Sequence, residues 1–501
     1  MNKPTLLFRA DASVAIGTGH VMRCLALAQA WQDWGGSCAF ATAECTPAVK
    51  ERLHHENIQT HSLPVEPGNS HDASQTSKLA GEVNAAWIVI DGYSFGSQYQ
   101  CELKAGGKKL LVVDDHGCAS PYSADLVLNH SLQAAPEMYA NRAAGTRLLL
   151  GPRYAMLRRE FRAWRSWERN IPQAARKLLA TMGGSDPANI TCKVIAAIRR
   201  LAGRDLETVV LIGGSNPHRT EIEAAAREVA NMRVVCDTNS MADLIAWADA
   251  AVAGAGTTFW EMAFLGLPAI LLVLAENQTC VAQGAETANA AWNLGDAAAV
   301  SVETIAVRLN AMLDSPQTRG ELSANARALV DGRGADRVVA FLSGLELRKA
   351  TAADCELFWQ WANDPATRSA SFHGDPILWD DHRQWFNARL NDPQSVVYVA
   401  ANGSGAPLGS VRFQIESDRA VLSIVVGSQF RGGGWGQKLL ALAAQRLFED
   451  YRANLIDAFV KPANAPSMKL FSAAGFERMP NTVVHEQEAI HFVLGRDQSA
   501  R

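Results

Sequence analysis

Residues 5–34 read TLLFRADASVAIGTGHVMRCLALAQAWQDW, and the order of the parts decides the fold. Thr5–Arg9 is a short apolar run. Asp11–Gly19 is polar and carries two glycines, and from Val21 to Trp34 the apolar residues recur at helical spacing on one side. A strand feeding through a tight turn into an amphipathic helix predicts a parallel sheet covered by helices on both faces.

Working outward, the pattern repeats. Cys38–Thr42, Trp87–Ile90, Lys109–Val113 and Asp125–Leu128 are predicted strands. The chain leaves four of the five strands through Asp11, Asp91-Gly92, Asp114-Asp115-His116-Gly117 and Asn129-His130. Ligands of open α/β sheets sit beyond the carboxyl ends of the strands, so these polar clusters are where chemistry is expected. The alternation pauses at Gly151-Pro152-Arg153-Tyr154, and a polar stretch rich in Trp and Arg runs to Pro172. It resumes at Lys177–Met182, Thr208–Ile212, Met232–Cys236, Ala250–Ala253 and Pro268–Leu274, with Gly183-Gly184-Ser185-Asp186 and Gly213-Gly214-Ser215-Asn216 as the clearest turns. After Phe341 the texture changes: a strand from Leu345, an acidic Trp-rich helix, then antiparallel strands at Ser395–Ala401, Pro407–Ile415 and Arg419–Val426.

A chain of 501 residues is too long for one core, and 48% hydrophobic with 20% charged residues fits globular α/β domains. A net charge of -4 lacks the basic footprint of a nucleic-acid binder. Nine dispersed cysteines without a Cys-x-x-Cys pair read as reduced thiols. The N-terminus reaches Arg9 and Asp11 before a signal-peptide core could form, and the apolar run 263–275 is too short to span a bilayer. A cytoplasmic enzyme with no membrane or nucleic-acid partner is expected.

Gly17 and Gly19 allow a tight turn that brings backbone N–H groups close to a ligand, and the helix start beyond favours an anion. His20 sits at that helix start. In the second half, Gly254-Ala-Gly-Thr-Thr-Phe-Trp-Glu leads from a strand into a helix; Gly256, Thr257 and Thr258 are placed to donate to a diphosphate. Glu261 follows about a turn later, where a carboxylate accepts from ribose hydroxyls, and Asn277 and Gln278 come within reach of the diphosphate or sugar.

Residues 1 to about 340 resemble the UDP-sugar hydrolases of pseudaminic acid biosynthesis (PseG type), relatives of two-lobed GT-B glycosyltransferases. The matching stretches are Arg9–Ser13 through Gly19-His20 to Arg23-Cys24, Asp91-Gly92-Tyr93, Asp114–His116, Gly151–Arg158 and Gly254–Glu261. The resemblance implies hydrolysis of UDP-2,4-diacetamido-2,4,6-trideoxy-β-L-altropyranose to sugar and UDP. His20 is then the candidate base for the attacking water, Asp11, Tyr93 and Asn129 position sugar or water, and Gly17, Gly19 and Arg23 belong to the substrate site. Asp114-Asp115-His116 are consecutive and point in different directions, so no metal-ligand spacing stands out and a metal-free hydrolase is expected.

Near the C-terminus, Ser423–Val426 precedes Gln429-Phe-Arg-Gly-Gly-Gly-Trp-Gly-Gln-Lys-Leu-Leu: strand, glycine-dense loop, helix. Such a loop offers a row of backbone donors to a pyrophosphate. Arg431, Gly434 and Gly436 match the Arg/Gln-x-x-Gly-x-Gly/Ala signature of GNAT acetyltransferases, and Asn464–Phe476 resembles that family's second CoA-side motif. Trp361-Ala-Asn-Asp-Pro with Arg368, and His382 with Trp385, resemble the amino-sugar N-acetyltransferases of the same pathway (PseH type). The resemblance implies acetyl-CoA as co-substrate, held by Val425, Val426, Arg431, Gly432, Gly434, Gly436, Asn464 and Ser467, with strand N–H groups near Val425 and Val426 facing the thioester oxygen. Phe471 stands where many relatives carry a Tyr general acid. Glu416, His373 and His382 are candidate amine bases, and Trp359, Trp361, Trp379 and Trp385 are read as core or sugar-stacking residues, with core preferred.

The expected architecture is therefore α/β: two Rossmann-like lobes of GT-B type at 1–165 and 166–341, followed by a GNAT α+β domain at 345–498. The expected activity joins N4-acetylation of a UDP-linked amino sugar to its hydrolysis. A glycosyltransferase fused to an acetyltransferase and a non-catalytic sugar-nucleotide-binding module are the alternatives.

Overall fold

The computed structural model describes residues 4–496 apart from 118, 237, 239, 402–405 and 433. The chain divides into two compact units, Met1–Val338 and Val339–Arg501. The division falls inside the helix Gly334–Leu342, a few residues before the expected boundary.

Among the described residues the first unit is built on two parallel sheets. One contains β1 (Thr5–Ala10), β2 (Ser37–Thr42), β3 (Gln59–Ser62), β4 (Ala85–Asp91), β5 (Lys109–Val113), β6 (Leu126–Asn129) and β7 (Arg147–Leu150), in the order β3-β2-β1-β4-β5-β6-β7. The other contains β8 (Lys177–Thr181), β9 (Glu207–Ile212), β10 (Met232–Cys236), β11 (Ala250–Gly254), β12 (Ala269–Val273) and β13 (Trp292–Asp296), in the order β10-β9-β8-β11-β12-β13. Central strands are apolar on both faces: Leu6, Leu7 and Phe8 of β1 are fully buried. In β8, Leu179 packs into one core layer while Leu178 and Ala180 pack into the other, because successive side chains point to opposite sides.

In each sheet the strand order reverses between the first and fourth strands, β1 and β4 or β8 and β11. Chain segments leaving neighbouring strands there turn opposite ways and open a crevice at the carboxyl ends. The stretch between the lobes is held by arginines. Arg159 pairs with Asp33 and Glu56, Arg162 reaches Asp33 and Asp336, and Arg165 reaches Asp336.

The second unit carries β14 (Glu346–Lys349), β15 (Ser395–Ala401), β16 (Pro407–Glu416), β17 (Arg419–Val426), β18 (Leu455–Val460), β19 (Glu477–Arg478), β20 (Thr482–Val484) and β21 (Gln487–Gly495). The sheet order is β14-β15-β16-β17-β18-β21-β19, with β20 on β21. One face packs Val397 and Val399 against Phe358 and Phe386 of the helices Cys355–Asn363 and Trp379–Asn391. The helix Trp435–Asp450 packs against β16 and β17, with Leu439 against the Gly409 position. β17 and β18 run parallel and pair only from Arg419–Val421 to Leu455–Asp457. Among the described residues no helix is long and apolar enough to cross a membrane.

Candidate active site

The two crevices of the first unit open into one cleft of about 1510 Å³. The turn after β1 and the turn after β8 meet across it so closely that a Cβ on Gly184 would collide with Thr18. His20, the second residue of the helix Gly19–Asp33, lines the cleft and is 7% exposed. Its Nδ1 lies 2.6 Å from Oδ1 of Asp91, the last residue of β4. A carboxylate only accepts, so the proton of that bond sits on Nδ1, and in the neutral imidazole Nε2 carries the lone pair.

Asp91 is fully buried and accepts twice from Arg23, Nε at 2.6 Å and Nη2 at 2.7 Å. Arg23 Nη1 reaches both oxygens of Asp115 at 2.8 Å. Burial alone would raise both carboxyls, but Arg23, with His20 at Asp91 and His130 at Asp115, holds them below the usual carboxylate range. Burial likewise opposes the charge on Arg23, and the two carboxylates overcome it. The result is a fixed charge frame under His20. Tyr93 lays its ring edge-on to His20 with centroids 4.9 Å apart, and its hydroxyl accepts from Nδ2 of Asn277 at 2.8 Å. Its phenol is pushed up to about 12, by burial first and then by Asp115, so it stays protonated near neutrality.

From the second lobe Gly256, Thr257, Thr258, Glu261, Asn277 and Gln278 line the same cleft, as Gly17, Gly19 and Arg23 do from the first. Glu261 accepts from Arg158 Nε at 3.0 Å and Nη2 at 2.9 Å. Burial raises the Glu261 carboxyl and Arg158 opposes the rise. The Gln278 Oε1 accepts from the Leu274 N–H at 3.1 Å.

Two expected residues are not brought to the cleft. Asp11 is 7% exposed; its Oδ1 accepts from the N–H groups of Ala43 and Glu44 at 2.7 and 3.1 Å, and its Oδ2 pairs with Arg9 at 2.7 Å. Asn129 is fully buried, donating to Tyr139 at 2.8 Å and accepting from Ser131. Asp11 serves the loop that follows the neighbouring strand β2, and Asn129 the loop that follows its own strand β6. Asp91, Asp115 and Arg158 carry the geometry, yet the sequence reading gave none of them a role. Asp91 stands 71 residues from His20, and only the strand order brings them together. The His20–Arg23 spacing, one turn on one helix face, was the local signal.

In the second unit the site is made of backbone. Among the described residues no strand lines β17 on its β18 side beyond Val421, so the run to Val425 and Val426 keeps one edge open. The loop that follows carries Gly432 and Gly434 at φ +77° and +74°, and Gly434 caps the helix Trp435–Asp450. Gly433 lies outside the described residues. A Cβ on Gly436 would meet Leu470 and Val426 at 3.4–3.5 Å. Arg431 does not point freely at a pyrophosphate: it donates to the Val426 carbonyl at 3.0 Å and pairs with Asp364 at 2.7 Å and Thr367 at 2.9 Å. Asn464 caps its helix by accepting from the Ser467 N–H at 3.2 Å.

Of the candidate bases, His382 is buried, with Nε2 3.1 Å from the Cys355 carbonyl, and burial lowers its pKa. Glu416 pairs with Arg419 at the opposite end of the ladder from Gly409–Val426. His373 stacks near His485, centroids 4.6 Å apart. Phe471 is buried between Phe476 and Phe492. Trp359 bonds the Ile377 carbonyl at 2.8 Å, whereas Trp379 and Trp385, read as core, are 39% and 38% exposed.

Comparison with known proteins agrees with this division. Residues 344–477 match the acetyltransferase (GNAT) domain family, and residues 178–337 match the glycosyltransferase family 28 C-terminal domain. An uncharacterized protein of Methanocaldococcus jannaschii is 21% identical over 491 residues, 93% of this chain and 96% of its own. The spore coat polysaccharide biosynthesis protein SpsG of Bacillus subtilis is 27% identical over 340 residues, 67% of this chain and 97% of its own. The UDP-2,4-diacetamido-2,4,6-trideoxy-beta-L-altropyranose hydrolase of Campylobacter jejuni is 26% identical over 242 residues, 48% of this chain and 81% of its own. Residues 178–337 are thus similar to a glycosyltransferase 28 C-terminal domain and residues 344–477 to a GNAT acetyltransferase domain.

Proposed function

We propose that this chain performs two consecutive steps on one nucleotide sugar in the cytoplasm. The second unit acetylates the 4-amino group of UDP-4-amino-4,6-dideoxy-N-acetyl-β-L-altrosamine from acetyl-CoA. The first unit hydrolyses the product, UDP-2,4-diacetamido-2,4,6-trideoxy-β-L-altropyranose, to free sugar and UDP. The observation that carries the hydrolase reading is the His20–Asp91 pair at the cleft wall, and the similarity to the Campylobacter hydrolase supports it.

In the hydrolytic step, water attacks the anomeric carbon as the bond to the UDP oxygen breaks, and the water proton passes to His20 Nε2. Asp91 holds the imidazole in the tautomer that accepts this proton and steadies the imidazolium that forms. Tyr93 and Asn277, joined across the cleft, position the sugar. The turn at Gly256, Thr257 and Thr258 takes the diphosphate with backbone and hydroxyl donors. Glu261 takes the ribose hydroxyls, and its pairing with Arg158 fixes the direction of the carboxylate. In acetyl transfer, the sugar amine attacks the thioester carbon, the C–S bond breaks, and the amine proton ends on the CoA thiol. The developing oxyanion faces the free edge of β17 near Val425 and Val426.

The purified chain, given the UDP-linked 4-amino sugar and acetyl-CoA, should release CoA and then UDP with a free diacetamido sugar, followed by mass spectrometry. His20→Ala should abolish UDP release and leave CoA release in place. The match of residues 178–337 to a glycosyltransferase domain favours a second reading, transfer of the sugar to an acceptor. CoA release with the UDP-sugar left intact until an acceptor is added would decide for that second reading.

A further inference from the structure

On the sheet face that packs against the helix Trp379–Asn391, three cross-strand pairs of β16 and β17 follow one another: Ser410 with Val425, Arg412 with Ser423, and Gln414 with Val421. Residues two apart on a strand share a face, so Arg412 and Ser423 stand one step along from Val425, where the acyl group is proposed to lie. Arg412 donates to the Ser423 hydroxyl at 3.2 Å, and its guanidinium lies 5.3 Å from the centre of the Trp385 ring. Among the described residues no carboxylate pairs with it. Burial, and then the neighbouring Arg389, lower its pKa, and no acidic group opposes them. Arg389 is itself engaged, by Asp392 at 3.3 Å and Gln414 at 2.9 Å. A partly buried cation lying over an aromatic ring, with no carboxylate paired to it among the described residues, is suited to receive an anion.

We propose that Arg412, with Ser423, binds the phosphate next to the sugar of a nucleoside-diphosphate-linked amino sugar, and so sets the acceptor class of the second unit. The step from Val425 to Ser423 is about 6.6 Å. That is the span of one pyranose ring with its two exocyclic substituents, amine at one end and phosphate at the other. The inference rests on the acetyl-transfer reading above and names the residue that makes it selective. Trp385 acts through Arg412 as a positioning residue, which accounts for a tryptophan 38% exposed beside the guanidinium.

The test is steady-state CoA release by the full chain with two acceptors, the UDP-linked 4-amino sugar and the same amino sugar without UDP, for wild type, R412Q and R412K. For R412Q the KM of the UDP-linked acceptor should rise about tenfold or more with kcat nearly unchanged. The KM of the free amino sugar and of acetyl-CoA should stay put, and R412K should recover part of the loss. The 3′-phosphate of CoA is the other phosphate available, so acetyl-CoA and dephospho-acetyl-CoA are compared as donors. A KM shift that follows the donor phosphate overturns the assignment, and so does an equal shift for both acceptors. If wild type acetylates the nucleotide sugar and R412Q is unchanged, the assignment alone falls. If wild type acetylates no nucleotide-linked amino sugar, the acetyl-transfer reading falls and takes the assignment with it.

Discussion

The cleft of the first unit and the open edge of β17 in the second are built from different materials. Around His20 the working groups are side chains, and each is fixed by a second charged side chain: His20 by Asp91, Asp91 by Arg23, Arg23 by Asp115. On the acetyl-CoA side of β17 the proposed working groups are backbone N–H groups and two glycine conformations, and the nearby polar side chains Arg431 and Asn464 are occupied by the fold. A site made of coupled side chains loses nearly everything when one is changed. A site made of backbone tolerates side-chain changes and is sensitive where a φ angle is demanded.

The largest expected effect separates the two directly. Asp91→Asn keeps the shape of the pair and removes the charge that fixes the His20 tautomer. UDP release should fall about 10³-fold or more, while CoA release from the same preparation stays within about twofold. Equal loss of both activities, with a lowered melting temperature, would mean that the frame around Arg23 is structural first and would erase the contrast.

The same frame predicts a pH effect on the stability of the first unit. Asp91 and Asp115 have folded-state pKa values below their ordinary ones. Their contribution is therefore fully present above the unfolded value of about 4, and is lost as pH falls through the folded values. Urea unfolding followed from pH 6 down to pH 3 should show the midpoint falling below about pH 4. Asp115→Asn should lower the midpoint at pH 6 and flatten that fall. An unchanged slope would show that other carboxylates govern acid unfolding.

For the backbone site the sensitive position is Gly434, at φ +74° where the loop becomes the helix. Gly434→Ala should cost about 1 kcal/mol in a left-handed conformation and raise the KM of acetyl-CoA several-fold, with UDP release untouched. Gly436→Ala, whose Cβ would meet only ordinary contacts at 3.4–3.5 Å, should change it less. If the two variants behave alike, the loop is limited by space and not by conformation.

What the sequence made legible follows the same line. Central strands such as β1, β5 and β9 lie close to their apolar runs, because a strand covered on both faces must be apolar throughout. The edge strand β3, Gln59–Ser62, escaped the reading because a partly exposed edge carries polar residues; the edge strands β7 and β13 escaped too, whereas the edge strand β10 was read. His20 was legible as a histidine at a helix start in a glycine turn. Its partner was not, since strand order and not spacing brings Asp91 to it. Asp11 and Asn129 looked like site residues for the right reason, polar groups at strand ends, but the loops after β2 and β6 needed the same hydrogen bonds. Trp385 was read as core in preference to sugar-stacking, and its contact with the Arg412 guanidinium could be seen only once β16 was placed against its helix.

The smallest expected effect tests the backbone reading at its most exposed point, the missing general acid. If acetyl transfer here relied on side-chain acid catalysis, restoring a phenol at position 471 should speed it. The structure argues otherwise. Phe471 is 4% exposed and packs at 5.1 Å from Phe476 and 5.7 Å from Phe492, ring centre to ring centre, so a hydroxyl added there enters the core and not the thioester edge. A buried hydroxyl without a partner costs about 1–3 kcal/mol, so Phe471→Tyr should lower the melting temperature of the second unit. The kcat for CoA release should stay within about twofold, because a thiolate leaves without a proton from the protein. A tenfold gain with a new alkaline limb in the pH–rate profile would show the phenol reaching the sulfur, and would make the second site, like the first, a site of side chains.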